Sequence, residues 1–396
     1  MILPERFANL PDYAFPRLRK LLDGHEPGGE VINMTIGEPR HPFPGWVADV
    51  LARHIGEFSK YPPNPGAPAL LETIDAWLMR RFAASPGPEG IMPLNGTREG
   101  LFNAVIALCP EEKRGRRPVV LIPNPFYQAY MVAARAIGAE PVFVNATSQT
   151  GFLPDFASLA PEILERTAIA FLCTPSNPQG AVASEDYWRN LLSLAERFDF
   201  RIFADECYSE IWRDRPPLGG LTIAKATNAD PERLLVFHSL SKRSNLPGLR
   251  SGFVAGGHSA IAALNQLRAY AGAPLPLPLQ HVAERIWSDE AHVEANRALY
   301  HEKYELADAI FMGQPGYSPP QGGFFLWLPV PPDLGDGVAA TRKLWTETGV
   351  RVLPGGYLGQ MTLMGNPGDP YIRVAMVAPL DETERGLKRL RDCLYR

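Results

Sequence analysis

"LLVFHSLSKRSNLPGLRSG" (residues 234–252) is the stretch from which the fold can be read. It opens on five apolar or aromatic residues and then turns abruptly polar, with Ser239, Lys242 three positions on, and Arg250 eight beyond that. An unbroken apolar run of this length suits a strand buried on both faces of a parallel sheet. A lysine just past such a strand is either part of a solvated loop or part of a strand-end site. The rest of the chain has to separate the two.

The same pattern recurs upstream. "RRPVVLIPNP" (116–125), "AEPVFVNAT" (139–147), "AIAFLCTPSNP" (168–178) and "FRIFADECY" (200–208) are each apolar runs ending in Pro, Ser or charged residues. Between them lie helical patterns such as "YWRNLLSLAERF" (187–198), with Leu191, Leu194, Ala195 and Phe198 on one face. Strands alternating with helices predict an open α/β sheet, mostly parallel and flanked by helices. Ligands of such sheets bind beyond the carboxyl ends of the strands, which is where the unusual residues of this chain fall. From about residue 280 the pattern changes. Residues 280–311 read as one long helical stretch, and "GGFFLWLPV" (322–330) and "YIRVAMV" (371–377) as strands of a smaller α+β unit. Residues 46–279 are therefore expected to form the large domain, and residues 1–45 with 280–396 the small one.

Composition excludes several classes. The 396 residues are 45% hydrophobic and 21% charged, ordinary for a globular protein, and the net charge of −4 leaves no footprint for nucleic acid. Cys109, Cys173, Cys207 and Cys393 are scattered without metal-ligand spacing, which predicts no metal site and suits a reducing compartment. The proline-broken N-terminal stretch lacks an apolar signal core, and no apolar run approaches the ~18 residues of a membrane span. A soluble, cytoplasmic protein is expected. The 40 prolines, about twice the usual share, are dispersed and punctuate loops.

At the strand ends the chemistry accumulates. In "LNGTREGLFNAVIALC" (94–109), Gly96 and Thr97 precede a helix, with Thr97 as the expected N-cap. A glycine turn feeding a helix N-terminus offers N–H groups and a positive dipole end to an anion. "TPSNPQG" (174–180) projects the amide of Asn177, and "FADECYSE" (203–210) places Asp205 at a buried position with Tyr208 beside it. A buried carboxylate needs a cationic partner. Taken singly, each is an ordinary cap or turn. Together with Ser239, Lys242 and Arg250 they offer an anion cradle, a buried carboxylate, a phenol, an amide and an amine. Pyridoxal 5'-phosphate needs all five: a phosphate site, a lysine for its aldehyde and a carboxylate for its ring nitrogen.

In this order the motifs resemble the class I/II aminotransferases, fold type I of the pyridoxal phosphate enzymes: Gly96-Thr97, Asn177-Pro178-Gln179-Gly180, Asp205-Glu206-Cys207-Tyr208, Ser239 to Lys242 to Arg250, and Arg373, with "TIGEP" (35–39) and "KYPPNPG" (60–66). The resemblance implies that Lys242 carries the cofactor covalently and moves a proton at the substrate Cα, that Asp205 holds the pyridinium, and that Tyr208 and Asn177 hydrogen-bond the phenolic oxygen. It places Tyr127 against the ring and assigns the phosphate to Gly96, Thr97, Arg98, Ser239 and Arg250. Tyr61 would reach the phosphate of the neighbouring subunit, making a homodimer with shared sites the expected unit. Arg373 would clamp the substrate α-carboxylate, assisted by Gly37 and Asn177. Gln179 departs from the commoner threonine, away from the chemistry.

Within that class, "SLSKRSNLPGLRSGFVAG", "DECYSEIW", "PNPFYQAY" and "IGEPRHP" look most like the proteobacterial succinyldiaminopimelate transaminases. That implies exchange of an amino group between glutamate and N-succinyl-2-amino-6-oxopimelate. Aminotransferases of aromatic, alanine-type or unsubstituted diaminopimelate substrates, and C–S lyases of the same fold, are the alternatives. A regulator with a fused DNA-binding domain would need more than the ~45 loop-rich residues preceding the core, and a P-loop motif is absent. A long acceptor carrying distal carboxylates calls for an open cationic channel. Arg40, His41 and the proline-rich stretch 269–280 are its expected walls.

Overall fold

The computed structural model describes residues 5–8, 10 and 12–395. Among them, the strands in chain order are β1 Ile32–Asn33, β2 Ile91–Leu94, β3 Val119–Asn124, β4 Glu140–Asn145, β5 Thr167–Cys173, β6 Arg201–Asp205, β7 Leu234–Ser239, β8 Gly252–Gly256, β9 Phe325–Pro329, β10 Val350–Arg351, β11 Leu353–Pro354 and β12 Tyr371–Ala375. Seven of them form one sheet in the order β2-β8-β7-β6-β5-β3-β4. β7, β6, β5, β3 and β4 run parallel, and β8 lies antiparallel between β2 and β7. The α/β architecture with a mostly parallel sheet is thus as the apolar runs predict.

Both faces of this sheet are dry, and the period of two along a strand sorts its side chains between them. Ala170, Leu172, Ile202, Ala204, Leu234 and Val236 enter one apolar cluster. Ile169, Phe171, Phe203, Leu235 and Phe237 enter the other. Helices cover each face. The helix Glu185–Phe198 starts at Ser184, whose hydroxyl accepts from the Tyr187 N–H at 3.1 Å, and ends at Asp199 with φ 59°. It buries Trp188, Leu191, Leu192, Ala195 and Phe198.

The smaller unit combines the antiparallel sheet β11-β12-β9 with the parallel pair β1-β10. Its core joins Ile32 and Met34 to Tyr300, Tyr304, Phe311, Leu326 and Val374. The long helical pattern of residues 280–311 is two helices, Leu277–Ser288 and Ala291–Phe311. Asp289 interrupts them in extended conformation (φ −104°, ψ 122°), and its carboxylate meets His292 Nδ1 at 2.6 Å. The first helix buries Val282, Ala283, Ile286 and Trp287 against the large sheet's core. The second buries Tyr300, Tyr304, Ala307 and Phe311 in the small one. The boundary expected at 279/280 lies within the first of these helices.

The two units are joined by ion pairs. Glu210, 4% exposed, accepts from Arg81 at 2.7 Å and from Arg297 of the helix Ala291–Phe311 at 3.2 Å. Arg213 pairs with Asp308.

Candidate active site

The sheet topology gathers the strand-end residues at one edge. β2, β3, β5, β6 and β7 present their carboxyl ends on the same side, and antiparallel β8 begins there. A cavity of about 340 Å³ opens at this edge. It is lined by Thr97, Arg98, Tyr127, Asn177, Asp205, Tyr208, Ser239, Lys242 and Arg250, and from the small unit's side by Gly37 and Arg373. Residues spread over most of the chain thus face one space.

Asp205 ends β6 and is 6% exposed. Tyr130 OH donates to its Oδ2 at 2.7 Å and the Cys207 N–H to its Oδ1 at 3.3 Å. Both donors are neutral, and no cationic side chain pairs with the carboxylate among the described residues. Burial, reinforced by the Asp205 charge, pushes the Tyr130 phenol well above its usual range, so it remains a donor. The phenol ring stacks on Phe171 at 4.2 Å, which fixes its direction. A buried anion held by neutral donors is the observation that a protonated ring nitrogen answers.

Lys242 follows β7 in the short helix Leu240–Arg243, with Ser239 as its N-cap accepting from the Ser241 N–H at 3.1 Å. Its amine donates to the Gly37 carbonyl. Burial lowers the amine to about 8; Arg373 and Arg250 act in the same direction, while Cys207 and Glu38 oppose. Near neutrality a fraction of this amine is unprotonated, as a nucleophile and proton carrier requires. Tyr208 is buried beside Phe324 and Phe325, at 5.3 and 6.0 Å. Burial raises its phenol well above the usual value.

The anion cradle is built differently from the expectation at one point. Thr97 is the first residue of the helix Thr97–Leu108, and Gly96 occupies the N-cap at φ 83° with no side-chain cap. The Thr97 hydroxyl instead lies 3.2 Å from Cys207 Sγ. Gly96 does not line the cavity but is pressed against the Arg250 guanidinium, where a Cβ would overlap it. Arg250 itself is left-handed at φ 55°, an uncommon conformation for a non-glycine residue. The helix start, Ser239 and Arg250 together form a cradle suited to a phosphate. Arg98 donates through Nε to the Tyr127 hydroxyl, bracing that ring above the cavity.

Arg373 comes from β12 and is 4% exposed. Its Nη1 donates to Asn177 Oδ1 at 3.1 Å and its Nη2 to the Thr35 carbonyl at 2.8 Å, while Nε has no partner. Burial lowers it to about 10, so it is cationic at neutral pH. A Cβ on Gly37 would come within 2.5 Å of the Phe325 ring, so a larger residue there requires the loop or the ring to shift. The residues present fit pyridoxal 5'-phosphate at every group: carboxylate, amine, phenol, cradle and ring support.

Other expected residues lie elsewhere. Tyr61 is fully exposed and does not face the cavity of its own protomer. Arg40 pairs with Glu382 at 2.7 Å, and His41 is held between Asn296 and Lys303. Neither lines the cavity, so the cationic channel expected there is not formed by these two. No residue of 269–280 lines it either; Leu275 and Gln280 are buried in packing. Conversely, Tyr13, Phe15, Ile36, Gln128, Phe325 and Leu358 do line it, and the sequence pattern singled out none of them. Tyr130, on the buried face of the helix Gln128–Ala136 that Tyr127 precedes, carried the clearest unused signal.

The comparisons agree with this geometry. The family model for aminotransferase class I and II matches residues 29–390. The chain is 30% identical over 400 residues to an LL-diaminopimelate aminotransferase of Dehalococcoides mccartyi, covering 98% of each. It is 31% identical over 387 residues to the 4-dedimethylamino-4-oxo-anhydrotetracycline transaminase OxyQ of Streptomyces rimosus, covering 96% of this chain and 99% of that one. Among solved structures, an aminotransferase from Neisseria meningitidis superposes with a TM-score of 0.93 at 38% identity, covering 100% of both chains. With the family model spanning nearly the whole chain, the protein belongs to the class I and II aminotransferases and is a pyridoxal 5'-phosphate-dependent enzyme.

Proposed function

We propose that the enzyme transfers the amino group of glutamate to N-succinyl-2-amino-6-oxopimelate, acting as an N-succinyl-LL-2,6-diaminopimelate:2-oxoglutarate aminotransferase. The observation that carries this reading is the form of the site. One buried guanidinium, Arg373, is available for the α-carboxylate that both substrates share. On its Tyr127–Arg250 side, the cavity shares Tyr13, Arg98, Tyr127, Gln128 and Arg250 with a neighbouring groove of about 570 Å³. A groove bordering the cavity suits an acceptor with a long amide-linked arm. Arg98 and Gln128 are its polar contacts in place of Arg40 and His41.

The roles assigned to the chain's own residues are supported by their placement around the cavity. When bound, pyridoxal 5'-phosphate supplies an aldehyde for amines and an electron sink next to the substrate Cα. Lys242 Nζ, released from the Gly37 carbonyl, is the group that takes and returns the Cα proton. Asp205 would hold the ring nitrogen, Tyr208 and Asn177 the phenolic oxygen, and the Gly96–Arg98 turn with Ser239 and Arg250 the phosphate. Arg373 orients the α-carboxylate in bidentate fashion. Tyr127 and Phe325 narrow the cavity and exclude water from the reacting carbon. Tyr61, exposed on each protomer, reaches the partner's phosphate in a homodimer. Cys109, Cys173 and Cys207 form no disulfide, in accord with a reducing, cytoplasmic setting. Among the described residues no helix is long and apolar enough to cross a membrane.

A second reading has its own support. Relatives at 30% identity over 98% of the chain are LL-diaminopimelate aminotransferases, whose substrate has the same seven-carbon backbone without the succinyl arm. A competition assay with glutamate as donor separates the two. The succinylated acceptor should exceed pyruvate and phenylpyruvate in kcat/KM by at least about 10²-fold, a discrimination that polar recognition of distal groups supplies. Preference for the unsubstituted C7 acceptor would establish the second reading, and equal turnover of the short keto acids would reject both.

A further inference from the structure

We propose that Lys303 is a positioning residue for the substrate carboxylate site, clamping the far end of the loop that carries Gly37 onto the strand that carries Arg373. Lys303 is 1% exposed in the helix Ala291–Phe311. Its amine meets His41 Nε2 at 2.6 Å and donates to the Met376 carbonyl at 3.0 Å. No carboxylate pairs with it among the described residues, and it lies 5.1 Å from the centre of the Tyr300 ring. A buried amine without a counter-charge is costly and persists only where something offsets it.

What it holds together is specific. The loop after β1 places Ile36, Gly37 and Glu38 in the cavity wall. Its near end is fixed by Arg373 Nη2 on the Thr35 carbonyl and by the Ala375 N–H on the Met34 carbonyl, both at 2.8 Å. Its far end is fixed by the Arg40 N–H on the Val377 carbonyl at 3.3 Å and by Asn245 Nδ2 on the Pro42 carbonyl at 3.2 Å. His41 and Lys303 complete that far end. Asn296 Oδ1 accepts from Asn245 Nδ2 at 3.1 Å and faces His41 Nδ1 at 2.9 Å. His41 Nδ1 therefore carries the hydrogen, and Nε2 is left to accept from Lys303. Burial first, then the Lys303 charge, lowers His41 to about 4, so it stays neutral at working pH. Asn245 lies three residues after Lys242, and Met376 three after Arg373. The network thus spans the Lys242 segment, the loop and the Arg373 strand.

Burial lowers the Lys303 amine to about 7, with Arg40 acting in the same direction and Glu302 opposing. The unprotonated amine has two hydrogens for its two acceptors, His41 Nε2 and the Met376 carbonyl. The protonated form has a third hydrogen with no acceptor and adds positive charge behind the carboxylate site. The clamp therefore titrates in the working range.

This rests on the assignment of Arg373 and Gly37 to the α-carboxylate, which Arg373→Lys tests separately: unchanged KM in that variant would reject the assignment itself. In the pyridoxal phosphate-loaded enzyme, Lys303→Met should raise KM for glutamate and for the keto acceptor together by about 10-fold, with a smaller change in kcat and unchanged cofactor affinity. The inflection near pH 7 in the KM profile should disappear. His41→Gln, which keeps one donor and one acceptor, should retain near-normal KM, whereas His41→Phe should behave like Lys303→Met. The histidine pair carries the test should the lysine variant fail to fold. Wild-type KM values and pH profile in Lys303→Met, or identical behaviour of the two His41 variants, would overturn the proposal even if thermal stability fell.

Discussion

Replacing Asp205 with asparagine separates the carboxylate's catalytic role from its structural one. In the folded protein both of its oxygens accept hydrogen bonds, from Tyr130 OH at 2.7 Å and from the Cys207 N–H at 3.3 Å. An asparagine offers one acceptor and one NH₂: its Oδ1 can keep the Cys207 N–H while its NH₂ donates to the Tyr130 oxygen, which reverses that hydrogen bond. The phenol hydrogen, turned away from its acceptor, is left buried and unsatisfied, a cost of about 1–3 kcal/mol. Independently, the charge opposite the ring nitrogen is gone. Removing such a preorganised electrostatic contact lowers kcat by about 10²–10³, or roughly 3–4 kcal/mol of transition-state stabilisation. Tyr130→Phe removes that hydrogen but also the oxygen that accepts from the asparagine NH₂. The double variant Asp205→Asn/Tyr130→Phe should therefore be about as stable as the single asparagine variant and recover none of the rate. The assays are denaturant unfolding of each variant and steady-state turnover with glutamate, with cofactor affinity followed by fluorescence. Wild-type-like kcat in Asp205→Asn would refute the catalytic role. Full recovery of stability in the double variant would refute this hydrogen-bond account.

Three further outcomes are expected. Borohydride treatment of the holoenzyme should fix the cofactor to the peptide containing Lys242, and Lys242→Ala should keep measurable cofactor binding through the cradle while losing transamination; labelling of another lysine would exclude the assignment. Gly37→Ala places a Cβ within 2.5 Å of Phe325, so the loop must shift, and we expect a several-fold rise in KM and a stability loss of about 1–3 kcal/mol in chemical denaturation. Folding lowers Lys242 to about 8 and Lys303 to about 7 from the ordinary 10.5, so between those values and 10.5 the unfolded chain binds more protons. Stability of the apoenzyme should then rise with pH across that window, by at most ~1.4 kcal/mol per pH unit for each group, and the slope should shrink in Lys303→Met.

Much of the site is legible in the sequence because a strand buried on both faces must be apolar, and its end shows as an abrupt polar residue. Asp205, Ser239 and Lys242 are visible for that reason. Tyr130 and Lys303 are not, because helix periodicity marks them only as members of a buried face. What makes them consequential is a partner 75 residues away for Tyr130 and 262 away for Lys303. Basic residues beside a motif mislead for the same reason: Arg40 and His41 are taken by Glu382, Asn296 and Lys303, distant in sequence. The break at Asp289 is hidden because no proline or glycine announces it. Thr97 reads as a cap because hydroxyls usually cap, but the close approach of Arg250 requires glycine at that position.

The cavity's lining has two origins, and they differ in how freely they can vary. The groups assigned to the cofactor sit at the ends of strands whose backbones are fixed by neighbours on both sides. Tyr13 and Phe15 start the N-terminal helix Ala14–Leu22, Ile36 lies in a loop, and Leu358 closes the single turn Gly355–Leu358. Substitutions at these four positions leave every sheet hydrogen bond in place. Substrate range can therefore drift, or be redirected by directed evolution, while the catalytic apparatus is inherited intact; libraries aimed at a new keto acid belong at these positions rather than at the sheet edge.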